Sequence, residues 1–151
     1  MKNALLLIDW IGCPRNMLLK LRIEDYLKAN GWSLASPSEV DSCDLVVFCS
    51  CGFTYWEQKR SLQVIRAVHD RIDSLKISPT FVVTGCLPPI NRKELLEVHA
   101  GPAFGPLEIE KLDELIDAKI KIVDIPLRNK VKTSERVKTV LERQKYDVIF
   151  N

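Results

Sequence analysis

The chain has 151 residues, of which 46% are hydrophobic and 28% charged, with a formal net charge of +2. That length suits one domain with a real core. The composition excludes a disordered polyelectrolyte, and the near-neutral balance gives no whole-chain pull toward nucleic acid or an anionic membrane.

The pattern along the chain alternates buried-strand runs with helical periodicity. Residues 4–10 (ALLLIDW) read as a first strand; their apolar run is too short for a secretory signal, and no run elsewhere would span a bilayer. Residues 16–31 read as an amphipathic helix with Leu18, Leu19, Ile23, Tyr26 and Leu27 on its inner stripe and Gly31 ending it. A short second strand (WSLAS) follows, then a loop or single helical turn over PSEVDSCD, with Ser36 or Ser38 as its N-cap.

Residues 44–51 (DLVVFCSC) predict the third strand, and residues 56–76 a long helix with Leu62, Ile65, Val68, Ile72 and Leu75 at helical spacing. Residues 80–86 (TFVVTGC) predict the fourth strand, followed by a short helix over RKELLEVHA, a brief fifth strand in PAFGP and a helix over 108–118. Residues 119–125 (KIKIVDI) alternate with period two, as a strand does. Strands separated by helices of this length imply crossovers and a mostly parallel sheet. The expected fold is a single doubly wound α/β domain of flavodoxin-like order, 2-1-3-4-5, over residues 1–125.

Residues 126–151 read as a basic linker or tail. Arg128, Lys130, Lys132, Arg136, Lys138, Arg143 and Lys145 stand there against Glu135, Glu142 and Asp147. The expectation is a linker, a short exposed helix, and an apolar strand-like piece, YDVIFN, of the kind found where a chain continues.

Five cysteines without an export signal point to the cytoplasm, where clustered thiols more often ligate metal or catalyse than pair as disulfides. Cys13 follows the first strand, Cys51 closes the third and Cys86 closes the fourth. In the expected strand order these carboxyl ends are neighbours at the edge where open α/β sheets bind ligands. Each has a glycine beside it, Gly12, Gly52 and Gly85, small enough to let backbone approach a bulky inorganic group. The alternative for any single one is a core-filling thiol. Zinc ligands usually come in close C-x2-C pairs, absent here, whereas three isolated thiolates suit an iron–sulfur cluster with one iron left open.

The stretches GCPRN, DLVVFCSCGF and VVTGCLPP, in that order, resemble the N-terminal domain of the radical SAM methylthiotransferases over roughly residues 4–118. The resemblance implies that Cys13, Cys51 and Cys86 ligate an auxiliary 4Fe–4S cluster whose open iron carries sulfur for delivery, with Asn16 at the motif asparagine. The chain departs from that pattern at Cys49, which stands where the family has asparagine. It also has no C-x3-C-x2-C, since no cysteine follows Cys86, so S-adenosylmethionine would come only through a further domain or a partner subunit. The substrate would be a tRNA, a ribosomal protein or a peptide, with no membrane involved.

Cys49 lies two residues before Cys51, so on a strand both face the same side. It reads as a buried neighbour of the cluster or as a fourth ligand. With Cys49 as ligand the domain would be an electron-transfer module; with no cluster at all it would be a binding or scaffold domain. Cys43 reads as structural or incidental, His69 and His99 as surface residues, and Tyr55 and Trp56 as opening a helix against the core, with walling of the cluster or stacking on a substrate as the alternative.

Overall fold

A computed structural model describes residues 2–9 and 13–150, with side chains described as far as Arg143. Trp10, Gly12 and Asn151, which entered the expectations above, lie outside the described residues. Four strands form one parallel sheet: β1 (Asn3–Ile8), β2 (Ser33–Leu34), β3 (Leu45–Ser50) and β4 (Thr80–Gly85), in the order β2-β1-β3-β4. β1 pairs with β3 from Ala4 opposite Leu45 to Ile8 opposite Cys49, and β3 with β4 from Leu45 opposite Thr80 to Ser50 opposite Gly85. This is the doubly wound α/β order that the alternating pattern predicts.

Both central strands are buried along their length, which is why they read as continuous apolar runs rather than alternating ones. Helix α1 (Pro14–Ala29) begins on a proline, whose fixed φ suits the first turn, and it ends before Gly31 at φ 83°. Its buried stripe is Met17, Leu21, Ile23, Tyr26 and Leu27; Leu18 and Leu19 are only half-buried. Lys20 is 2% exposed between the carboxylates of Glu24 (3.8 Å) and Glu142 (3.5 Å), the pairing a buried ammonium requires. Ser36 caps a 3-10 turn over Pro37–Ser42, its N–H donating to the Glu39 carboxylate at 2.9 Å.

Helix α2 (Tyr55–Leu75) is capped by Thr54, whose hydroxyl accepts from the Glu57 N–H, and it buries Leu62, Ile65, Val68 and Ile72 as their spacing predicts. After β4 come the single turn α3 (Leu87–Ile90), α4 (Arg92–Val98) and the short α5 (Lys111–Leu115). Among the described residues, no helix is long and apolar enough to cross a membrane.

Three expectations are corrected. The fifth strand is reduced to one parallel bridge, Val83 with Ala103, flanked by the Val83 N–H to Pro102 carbonyl bond and the Phe104 N–H to Val83 carbonyl bond. Prolines at 102 and 106 bracket it and remove the donors a longer ladder would need.

Residues 119–125 are not a strand. Asn30 Oδ1 accepts from the Lys119 and Ile120 N–H groups, Asp113 Oδ1 accepts from the Ile122 N–H, and a 3-10 turn runs over Ile122–Asp124. Side-chain acceptors take the donors that a neighbouring strand would have taken.

After a non-helical stretch over 126–132, the tail forms one 18-residue helix, α6 (Thr133–Phe150), in place of a short helix and a strand-like piece. It is tied to the body by Lys20–Glu142 and by Arg128, whose guanidinium meets both oxygens of Asp25 and also Glu135.

Candidate functional site at the cysteine edge

The parallel register sets the ends of β1, β3 and β4 side by side, and each cysteine follows one of them. Cys13 is the residue before α1, its carbonyl accepting from the Met17 N–H at 3.1 Å. Cys51 is the first residue beyond β3, and Cys86 the first beyond β4, where its N–H donates to the Ser50 carbonyl at 3.1 Å. Cys13 and Cys86 are half-buried, Cys51 is 3% exposed, and all five cysteines are free thiols.

Two glycines make the edge close-packed. Gly85 holds φ 87°, and a Cβ there would lie 2.3 Å from the Ser50 carbonyl oxygen. A Cβ on Gly52 would meet Ile90 Cδ1 and Leu87 Cα at 3.2 Å and the Cys86 carbonyl at 3.3 Å, so the turn after Cys51 rests on the turn after Cys86. The Ser50 hydroxyl adds a bond to the Thr84 carbonyl at 2.5 Å and accepts from the Leu87 N–H at 3.3 Å.

Electrostatics link the three thiols. Burial raises the Cys51 pKa, with the charges of Asp9, Cys13 and Glu57 acting in the same direction and the Phe53 N–H opposing. Burial likewise raises Cys86, with Cys13 adding to the rise and Arg15 offsetting it. Cys13 is therefore the common neighbour of the other two.

Asn16, 3% exposed in the first turn of α1, donates from Nδ2 to the Cys49 carbonyl at 2.9 Å and ties α1 to the end of β3. Its Oδ1 is buried without a hydrogen-bond partner, as are Asp9 Oδ1, Thr84 Oγ1 and Glu57 Oε2. Asp9 Oδ1 is met instead by guanidinium groups, Arg60 at 3.7 Å and Arg143 at 3.8 Å.

Cys49 does not share these surroundings. The strand ends at Ser50, so Cys51 leaves the strand face on which Cys49 stays. Cys49 is fully buried in the core, its pKa pushed up to about 12 by burial, with Lys20 and Glu24 as its charged neighbours. Cys43 packs in the core with its thiol on the Glu39 carbonyl at 3.5 Å, a structural placement.

Other expectations are corrected. His99 is 1% exposed, not on the surface; its Nε2 meets the Pro102 carbonyl at 3.1 Å and its Nδ1 meets His69 Nε2 at 2.9 Å. Tyr55 and Trp56 open α2 but point away from the core, 62% and 76% exposed. With Phe53, also exposed, they leave an aromatic rim beside Cys51.

Sequence reasoning missed three residues of the edge. Asp9 follows β1 with its side chain fully buried, Ser61 of α2 is fully buried beneath Cys51, and Arg143 of α6 reaches Asp9. The signal for Asp9 was an acid closing an apolar run; Ser61 and Arg143 carried none.

Among the described residues, no group of three or more His, Cys, Asp or Glu side chains is arranged to hold a metal ion. A cubane cluster makes a different demand, because each thiolate binds its own iron and the ligands stand further apart than those of a single ion. In kind, the donor set fits such a cluster: three thiols on one edge and glycines where backbone closes around them.

The profile of Uncharacterized protein family UPF0004 matches residues 6–104, a span that contains all three edge cysteines. Proteins named ribosomal protein uS12 methylthiotransferase RimO from Shewanella sp. (strain W3-18-1), Shewanella baltica (strain OS185) and Shewanella amazonensis (strain ATCC BAA-1098 / SB2B) are each 30% identical over 89 residues. That alignment covers 59% of this chain but only 17% of each relative. With about two thirds of its length under the family profile, the chain belongs to UPF0004, the N-terminal domain of the methylthiotransferases.

Proposed function

We propose that this domain holds an auxiliary 4Fe–4S cluster through Cys13, Cys51 and Cys86, with one iron left open to carry sulfur in a methylthiotransferase-like system. The observation that carries this reading is the placement of three sequence-distant cysteines after the carboxyl ends of neighbouring parallel strands. The bound cluster would supply an iron able to hold an exchangeable sulfur ligand. The chain's own residues would ligate it, exclude solvent from its Cys51 side, and fix its position through the Gly52 and Gly85 contacts.

In this reading residues 1–125 are the cluster-bearing body and residues 126–151 a basic tail. Radical chemistry and S-adenosylmethionine belong to a radical SAM domain or subunit, in cis or in trans, in a reducing cytoplasm that keeps all five thiols free. Of the substrate classes the motifs leave open, the name carried by the relatives favours a ribosomal protein over a tRNA or a free peptide. The burial of Cys49 among core side chains favours an open iron over a fourth thiolate.

Anaerobic reconstitution with iron and sulfide tests the proposal. The expected result is about four irons and four sulfides per chain, lost in Cys13→Ser, Cys51→Ser and Cys86→Ser and kept in Cys49→Ser. A full cluster surviving any one of the first three changes overturns this ligand set. A second reading, a scaffold domain without a cluster, draws on the lack of a ready-made metal group among the described residues. It predicts no iron uptake and five titratable thiols after the same treatment.

A further inference from the structure

We propose that Arg143, on the tail helix outside the family match, is a positioning residue for Cys51, acting through Asp9 and Ser61. The path is continuous and buried. Arg143 Nε donates to the Asp9 carbonyl at 2.9 Å, and its guanidinium lies 3.8 Å from Asp9 Oδ1. Asp9 Oδ2 stands 3.1 Å from the Ser61 hydroxyl. That hydroxyl accepts from the Cys51 N–H at 3.0 Å and is 2.9 Å from the Cys51 carbonyl, so it grips both ends of the Cys51 residue.

Asp9 and Ser61 have no exposed side-chain surface, and the Arg143 side chain is 9% exposed. Arg60 also approaches Asp9, at 3.7 Å, but its side chain is 58% exposed, so solvent screens it. Arg143 is thus the shielded cation on Asp9. Without it Asp9 would be a buried carboxylate facing one exposed arginine, and the loop carrying Cys51 would lose the anchor beneath Ser61.

α6 crosses to this edge from a segment separated from β1 by most of the chain. The consequence is that the basic tail, whatever else it meets, also frames the cysteine edge. A partner that drew α6 away would loosen Cys51 while leaving Cys13 and Cys86 on their own supports. The inference rests on the cluster reading only for its biological meaning; the contacts themselves concern the thiol.

The test is site-resolved alkylation of the metal-free, reduced full chain by iodoacetamide, read by mass spectrometry, on the unaltered protein, Arg143→Ala, Arg143→Lys, Ser61→Ala and Val137→Ala. Val137 is an exposed residue of the same helix and serves as the control. Loss of a buried charge-assisted bond should speed Cys51 labelling roughly tenfold in Arg143→Ala and Ser61→Ala, with Cys86 unchanged and Val137→Ala silent. Arg143→Lys should fall between, because an ammonium keeps the charge but reaches Asp9 with poorer geometry.

Cys51 rates in Arg143→Ala equal to those of the unaltered chain overturn the inference. So does a uniform rise at every cysteine in both Arg143 variants, since that reports general loosening. Iron uptake by the unaltered chain is measured in parallel. Failure to load iron with Cys51 still sensitive to Arg143 would remove the cluster reading and leave this inference standing.

Discussion

Gly85 and Ser50 face each other across the last rung of the β3–β4 ladder so closely that no side chain fits between them. A Cβ on Gly85 would sit 2.3 Å from the Ser50 carbonyl oxygen and 2.6 Å from its nitrogen, at φ 87°. Both obstacles are backbone, which has no rotamer to yield. Gly85→Ala should therefore cost roughly 3 kcal/mol, combining left-handed strain with overlap. Gly52→Ala meets atoms at 3.2–3.3 Å, one of them the mobile end of Ile90, and should cost about 1 kcal/mol. Urea melts of the two variants check the order; a Gly52→Ala protein weaker than Gly85→Ala contradicts it.

Tyr26 donates its hydroxyl to Asp113 Oδ1 at 2.8 Å inside the core, and the same oxygen accepts from the Ile122 N–H at 3.1 Å. The Tyr26 bond joins α1 to α5, and the Ile122 bond ties the segment after α5 to the same carboxylate. Tyr26→Phe keeps the ring and strands part of a buried carboxylate, so a loss of about 1.5 kcal/mol is expected, with an unchanged denaturant slope. An unaltered urea midpoint would mean that the bond contributes nothing net.

These contacts mark what could and could not be read in the residues. β1, β3 and β4 were legible because burial on both faces leaves an uninterrupted apolar run, and α2 because its stripe repeats at helical spacing. The cysteine edge was legible through topology: once the strands are parallel and ordered, their carboxyl ends must meet. Residues 119–125 misled because period two also fits a turn when Asn30 and Asp113, distant in sequence, supply the acceptors. YDVIF misled for the opposite reason: its composition suits a strand, while α6 extends through it from Thr133. His99, Ser61 and Arg143 were illegible because each matters through a partner at least three residues and mostly dozens of residues away.

The thiols should separate by reactivity. Thiolate is the nucleophile, so burial slows labelling both by access and by raising the pKa. Cys13 and Cys86, half-buried, should react with iodoacetamide first, and Cys51 later. Cys43 and Cys49, pushed up to about 11 and about 12 by burial, should react last. Time-resolved peptide mapping under native conditions gives the order, and Cys49 labelling as fast as Cys13 would refute its placement in the core.

The His69–His99 pair should make stability fall on mild acidification. His99 donates from Nε2 to the Pro102 carbonyl, which leaves Nδ1 as acceptor for His69 Nε2. A second proton on His99 would turn Nδ1 into a donor, so the bond to His69 would survive only if His69 moved its own proton to Nδ1, inside a site that the Phe81 ring also walls. Burial, helped by His69 and opposed by the Pro102 carbonyl, lowers the His99 pKa below 6.5. The unfolded chain then binds the proton first, so this contribution is fully present above about pH 6.5 and is lost as pH falls toward the folded value. The melting temperature should drop as pH falls below about 6.5, and His99→Gln, which cannot titrate there, should flatten the drop. An identical slope in His99→Gln would assign the acid sensitivity to other groups.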